Sequence, residues 1–339
     1  MKKKILFSII TPIYKGEKYI NRYFNSIKNI IFNKNNFEII FILDGKDKKI
    51  LKKIEKKIHL WPNKKIIINE NRIGPGMSRN KGLRLSKGKY ILFLDFDDEL
   101  KKNALKILES STNHNPDFIG YNFQKNSKRI IKDYRKDFKF ICKTRYKRIK
   151  NFLMGEIDGS VIFSCIKREV IIDNRIYFKK ELHEDIFFIF QVYYFSKKFI
   201  LLNKSLAIKN DEKSSIVNNI NQFAIKGYLK QPNRIRDFLI LKKFNFKKLE
   251  KYYIRGFIGY SAHLILSSFK IKNFNLKKQN YRLIKKILLL NNNFMNYKFM
   301  TFKDNVVNIF VKHFYKKNIV RKNINIFEDM VLKIYEKNL

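Results

Sequence analysis

Cysteine is almost absent from this 339-residue chain, with Cys142 and Cys165 the whole complement. Two cysteines exclude a disulfide framework and point to a reducing compartment. Acidic residues are scarce too: 29 Asp plus Glu face 74 Lys plus Arg, a net charge of +45. No apolar run approaches the ~20 residues that a membrane span needs. The longest candidate, Gly256 to Phe269, is interrupted by Tyr260, Ser261 and His263. Met1-Lys2-Lys3-Lys4 mimics the charged end of a signal peptide. Its apolar continuation, Ile5 to Ile10, is broken by Ser8 and closed by Thr11-Pro12, which suits a first buried strand instead. The expected place is the cytoplasm, with the inner face of its membrane as a second option. His59, His114, His263 and His313 have no metal-ligand spacing, and nothing shows the pattern of a zinc cluster, a nucleophile elbow or a P-loop.

Glycine and proline are also sparse, at 12 and 5, whereas Ile, Asn and Phe are abundant and most of the basic excess is Lys. That combination looks like drift toward A/T-rich codons, which raises charge without selecting a ligand. A nucleic-acid binder gains from clustered Lys and Arg through counterion release. Here the basic residues are spread along the chain, so no specific nucleic-acid partner is expected. Attraction to anionic surfaces, whether nucleotide, lipid headgroup or acidic glycan, is the better-supported consequence. A hydrophobic content of 45% is enough for one large core or two smaller ones.

The first hundred residues alternate apolar runs with helical spacing. Runs at 6–11, 37–43, 66–68 and 90–94 are separated by helix-like stretches at 17–30, 48–59 and 74–86. Strands apolar on both faces with helices between them predict an α/β fold, a mainly parallel sheet flanked by helices. Ligands bind such sheets beyond the carboxyl ends of the strands, which places Thr11, Asp44 and Asp95 along one rim. Residues 101–220 are mixed, with a helix at 104–111, a strand at 117–123 and an aromatic helix at 184–198. From 221 to 339 the pattern is helical and basic, with stretches at 222–244, 247–269, 278–290, 303–315 and 324–337. The boundary is set near Ile220.

Four segments carry chemistry. Asp95-Phe96-Asp97-Asp98 closes the fourth run. If extended geometry persists past Leu94, Asp95 and Asp97 share a side. Two carboxylates there suit a hard divalent cation, Mn or Mg, bridging to phosphate oxygens. The alternative is an acidic turn capping the next helix. Gly74-Pro75-Gly76 opens a helix whose N–H groups attract phosphate, and Arg79, one turn in, has the reach for a diphosphate; a plain helix start with a solvated Arg fits the same residues. Asp44-Gly45 ends the second run and offers either a base contact or an ordinary turn. His183-Glu184-Asp185 opens the aromatic helix, so its carboxylates either cap the helix or take the proton of an attacking hydroxyl.

Together, and in this order from Ile5 to Val217, these segments resemble the family 2 inverting glycosyltransferases, which have a GT-A fold. Phe7–Tyr14 looks like the family's opening strand and nucleotide loop, and Phe37–Gly45 like its second strand. Ser78–Gly82 and Lys87–Asp98 are similar to its most specific segment, His183-Glu184-Asp185 to its x-E-D motif, and Lys213–Ile216 to its closing segment. The expected division is a glycosyltransferase domain at 1–220, with a nucleotide-binding half (1–100) and an acceptor half (101–220), while 221–339, the basic helical C-terminal region, lies outside the resemblance. The resemblance implies Thr11, Pro12 and Tyr14 around the uracil and ribose of a UDP-sugar, Asp44 on the base, and Arg79 near base or diphosphate. Asp95 would face ribose or sugar, Asp97 would ligate the metal, Asp185 would be the catalytic base and Glu184 its orienting or substitute partner. The implied reaction is one in-line displacement that inverts the anomeric carbon, with a glycan or glycolipid acceptor in surface polysaccharide or lipooligosaccharide synthesis.

The sequence departs from the family pattern in two places. The paired aspartates followed by Gly-Ser are reduced to Leu43-Asp44-Gly45-Lys46, and Val161–Cys165 stands where many members carry a Trp. A sugar nucleotidyltransferase shares a similar sheet, but Thr11-Pro12-Ile13-Tyr14-Lys15-Gly16 lacks its Gly-rich phosphate loop. A non-enzymatic nucleic-acid-binding protein would leave the rim aspartates unexplained. For the helical tail, peripheral membrane docking and homo-oligomerisation stand beside a plain helical cap on the catalytic domain.

Overall fold

The computed structural model describes residues 5–125, 129–130, 144–155, 159–210, 221–269, 271, 273–289 and 311. The chain divides into two compact units. The first comprises Met1–Phe152 and Glu156–Lys213, and the second Leu153–Gly155 and Ser214–Leu339.

Unit 1 is built on a nine-stranded mixed sheet: β1 (Phe7–Ile13), β2 (Phe37–Asp44), β3 (Lys64–Asn69), β4 (Tyr90–Phe93), β5 (Glu99–Leu100), β6 (Phe118–Lys125), β7 (Arg129–Ile130), β8 (Ser164–Lys167) and β9 (Phe199–Lys209). Their order is β3-β2-β1-β4-β8-β6-β9-β5, with β7 beside β6. The four strands expected from the first hundred residues are all present, and β3, β2, β1 and β4 run parallel. Every residue of β2 and β4 is buried, as is nearly all of β1. That is the mark of a parallel sheet covered on both faces, and it accounts for continuous rather than alternating apolar runs. At β8 the direction reverses, since β8 is antiparallel to both β4 and β6.

Helices α1 (Ile20–Lys28), α2 (Lys48–Ile58), α3 (Pro75–Leu85) and α4 (Ala104–Thr112) connect the first strands, followed by α5 (Arg145–Leu153), α6 (Arg168–Asp173) and α7 (Glu184–Phe195). Asp47 starts α2 by accepting Ile50 N–H at 2.9 Å, a side-chain cap. Helix α3 lies tight on the sheet at Gly82, where a Cβ would fall 2.4 Å from Ile10 Cγ2.

Unit 2 is helical, with α8 (Gln222–Leu241), α9 (Glu250–Phe269) and α10 (Phe274–Leu289) packed on one another. No described helix is long and apolar enough to cross a membrane. The further helices expected at 303–315 and 324–337, Val311 apart, and the expected closing segment Lys213–Ile216 lie outside the described residues.

Candidate active site

The carboxyl ends of β1 and β2 open onto a cavity of about 190 Å³ lined by Ile13, Tyr14, Lys15, Asp44, Lys46 and Ile50, among others. Tyr14 is 45% exposed, and the Arg72 guanidinium lies 3.9 Å from its ring centroid, covering the aromatic surface with a cation. Asp44 forms part of the wall but also anchors the chain: its Oδ1 accepts Asn69 Nδ2 at 3.0 Å and Ile73 N at 2.8 Å, and its Oδ2 accepts Gly74 N at 2.8 Å. An anion beside the start of α3 is therefore this carboxylate, which takes the amide of Gly74, one of the helix-start residues expected to attract phosphate, together with that of Ile73. Thr11 is fully buried, its hydroxyl 2.7 Å from that of Tyr23. Pro12, half-buried, sits opposite Ile42 in register. Neither Thr11 nor Pro12 is among the cavity's lining residues.

Beyond β4 the chain does not stay extended. Strand β4 ends at Phe93, and Asp98 N–H donates to Asp95 O at 3.0 Å, closing a turn. This replaces the strand alternation expected for Asp95 and Asp97, and it gathers three carboxylates rather than two. One oxygen each from Asp95, Asp97 and Asp98 lies within 4.8 Å of the others. The turn is clamped from two distant elements. Arg22 Nη2 of α1 donates to Asp97 O at 2.6 Å, and Asn210 Nδ2 donates to the same carbonyl at 2.8 Å. Asn210 N donates to Asp98 Oδ1 at 2.9 Å. Burial first, then the charges of Asp95 and Asp97, push the Asp98 carboxyl up to about 8. An all-carboxylate donor set this crowded fits a hard divalent cation, which would relieve that repulsion.

Arg79 occupies the centre of the arrangement. Its side chain is 7% exposed, with Nη2 donating to Asp95 Oδ1 at 2.6 Å and Nη1 to Glu184 Oε1 at 2.9 Å. Burial opposes its charge, but Asp95, Glu184 and Asp185 more than offset that, so the guanidinium stays protonated. The sequence pointed Arg79 at base or diphosphate. The structure instead commits both its terminal nitrogens to carboxylates, one from the acidic turn and one from α7. Gly76 makes this possible, because a Cβ there would lie 2.5 Å from Glu184 Cγ. The close approach foreseen for a ligand at this glycine belongs to Glu184.

Helix α7 starts at His183, a non-glycine residue with φ of 59°. This left-handed corner sets Glu184 and Asp185 in the first turn, Glu184 buried and Asp185 half-buried. Burial raises Glu184 most; Arg79 opposes that, Asp185 and Asp95 add to it, and the outcome is a pKa of about 7. Thus Arg79, Asp95 and Glu184 come together directly, with Asp185 within the same electrostatic group. Arg22 and Asn210 were not foreseen. They act through backbone carbonyls and amides from far along the chain, and no local sequence pattern marks such contacts.

A parallel sheet with a cavity beyond its strand ends and an acidic turn after the fourth strand defines a GT-A type domain. Residues 8–174, which fall within the span of unit 1 for all but a few positions, match the sequence profile of glycosyl transferase family 2. Among curated relatives, the poly(ribitol-phosphate) beta-N-acetylglucosaminyltransferase TarS of Staphylococcus aureus is 36% identical over 100 residues, 30% of this chain and 18% of TarS. The similarly named TarP of the same species is 27% identical over 237 residues, 66% of this chain and 65% of TarP. The chain thus matches less than two thirds of either relative. In structure it resembles S. aureus TarS 1–349 in complex with UDP-GlcNAc, with a TM-score of 0.70 at 19% identity, over 97% of this chain and 92% of that one.

Proposed function

We propose that this chain transfers a sugar from a UDP-sugar to a hydroxyl of a glycan or glycolipid, with inversion, in a metal-dependent reaction. The carrying observation is that Arg79 joins the acidic turn to the first turn of α7. Diphosphate chemistry and proton removal can therefore share one locus. The names of TarS and TarP support a polymeric acceptor, and the complex of TarS with UDP-GlcNAc supports a nucleotide-sugar donor.

In this reading Tyr14 and Pro12 flank the base and ribose, with Thr11 fixing β1 behind them through Tyr23. Asp44 Oδ2 accepts a single backbone N–H, so it keeps capacity for an imide N–H of uracil. Asp97, with Asp95 and Asp98 beside it, would hold Mn or Mg, and the cation would neutralise charge on the departing diphosphate. Asp185 takes the proton of the attacking hydroxyl, while Glu184, held by Arg79, fixes the position of that turn.

The test is calorimetry of the full chain with a panel of nucleotide sugars, with and without Mn or Mg, followed by product analysis. Asp97→Asn is expected to abolish metal-dependent donor binding. Asp185→Asn is expected to retain donor binding and lose transfer by about a hundredfold or more. Absence of binding to every nucleotide sugar, with metal or without, would defeat the proposal.

A further inference from the structure

Unit 2 carries a surface feature built from its own residues. Helix α8 runs out through Leu239-Ile240-Leu241-Lys242-Lys243-Phe244, and Asn245-Phe246-Lys247-Lys248 leads into α9. The end of α8 is ordered. Lys243 N–H donates to Ile240 O at 2.9 Å and Phe244 N–H donates to Leu239 O at 2.9 Å, around a Lys243 φ of 51°. Paired bonds about a left-handed residue are a Schellman ending, where glycine is the usual occupant because a side chain disfavours that backbone. This ending keeps Leu239 buried, and Phe246 packs on Tyr253 with ring centroids 5.3 Å apart. Ile240 and Leu241 are left outside, 56% and 78% exposed. Lys242, Lys243, Lys247 and Lys248, which follow them within seven residues, are all exposed. The acid preceding this turn, Asp237, is paired with Arg236 at 3.0 Å.

We propose that the α8–α9 turn is a docking point for an anionic membrane surface. Ile240 and Leu241 enter the headgroup boundary while the four lysines meet acidic headgroups. Two adjacent exposed aliphatic side chains followed in one turn by four exposed lysines match a bilayer interface, which takes apolar and cationic groups side by side. A nucleic acid would engage the lysines but leave the aliphatic pair in water. The ordered helix ending presents the pair without a disorder-to-order cost on binding.

The test uses the full chain in co-sedimentation with vesicles of phosphatidylcholine alone, or with about a third of the lipid as phosphatidylglycerol. Binding is expected only with the anionic lipid. Joint Ile240→Ser and Leu241→Ser substitution leaves the charge unchanged and should weaken binding by about tenfold. Joint Lys242→Gln, Lys243→Gln, Lys247→Gln and Lys248→Gln substitution should weaken it by about a hundredfold. The same charge removed from α2, by Lys48→Gln, Lys52→Gln, Lys56→Gln and Lys57→Gln, should matter far less. Circular dichroism reports folding of each variant. Leu241→Trp gives a reading that does not depend on them, since its indole emission should shift to the blue on anionic vesicles. The proposal is overturned if the wild type ignores anionic vesicles, if the α2 variant loses as much binding as the turn variant, or if the aliphatic variant binds as the wild type does. Unshifted emission from the Leu241→Trp variant on anionic vesicles, or an oligonucleotide bound through the lysines with no vesicle binding, would also overturn it.

Discussion

Glu184 shows how one side chain can serve structure and chemistry at once. It is buried, it accepts from Arg79 at 2.9 Å, and its carboxyl is raised from 4.5 to about 7, mainly by burial. Between those two values the folded chain retains a proton that the unfolded chain has released. Unfolding there releases a proton, so rising pH favours the unfolded state. Wild-type stability should therefore fall relative to Glu184→Gln as pH rises from about 4.5 to about 7, a window set by the two pKa values. Urea titrations across that range provide the check. Parallel stability curves for the two proteins would show that Glu184 carries no raised pKa. Asp44 makes a complementary point. Its residue type and place at a strand end were readable, but its bonds to Ile73 and Gly74 came only with the fold.

At the scale of elements, α3 sets the site, because it carries Gly76, Arg79 and Gly82 on successive turns. The two glycines are notches rather than hinges: Gly76 receives Glu184, and Gly82 receives Ile10 and Ile42. Gly82→Ala would place its Cβ 2.4 Å from Ile10 Cγ2 and 3.0 Å from Ile42 Cδ1. Helix α3 would have to lift from the sheet, at an expected loss of about 1–3 kcal/mol in a chemical denaturation experiment. An unchanged midpoint would mean that the sheet yields instead. Strands β8 and β9 were not foreseen among the elements. Strand β8 has four residues, too few for a period, and β9 is irregular where Asn122 of β6 pairs with Ser205, across register shifts. Pairing with β6 makes them strands, and that pairing is a tertiary fact.

For the whole molecule, +45 is a term that no local contact cancels. Like charges in a compact shape repel, and salt shortens their reach to about 8 Å at physiological ionic strength. The urea midpoint should therefore rise as NaCl goes from very low to physiological concentration; a fall would show that attractive pairs dominate. By itself, the sequence determined the parallel half of the sheet, because strands buried on both faces must be mostly apolar and helices must alternate with them. It also determined which residue types stand at the rim, because strand ends in such a sheet meet at one edge. Only the tertiary structure decided that Asp95, Asp97 and Asp98 converge through a turn held by Arg22 and Asn210. It alone decided that Arg79 lies between Asp95 and Glu184. Those contacts join residues far apart in the chain, and a carboxylate chooses among cations, amides and solvent only once packing has fixed which of them is within reach.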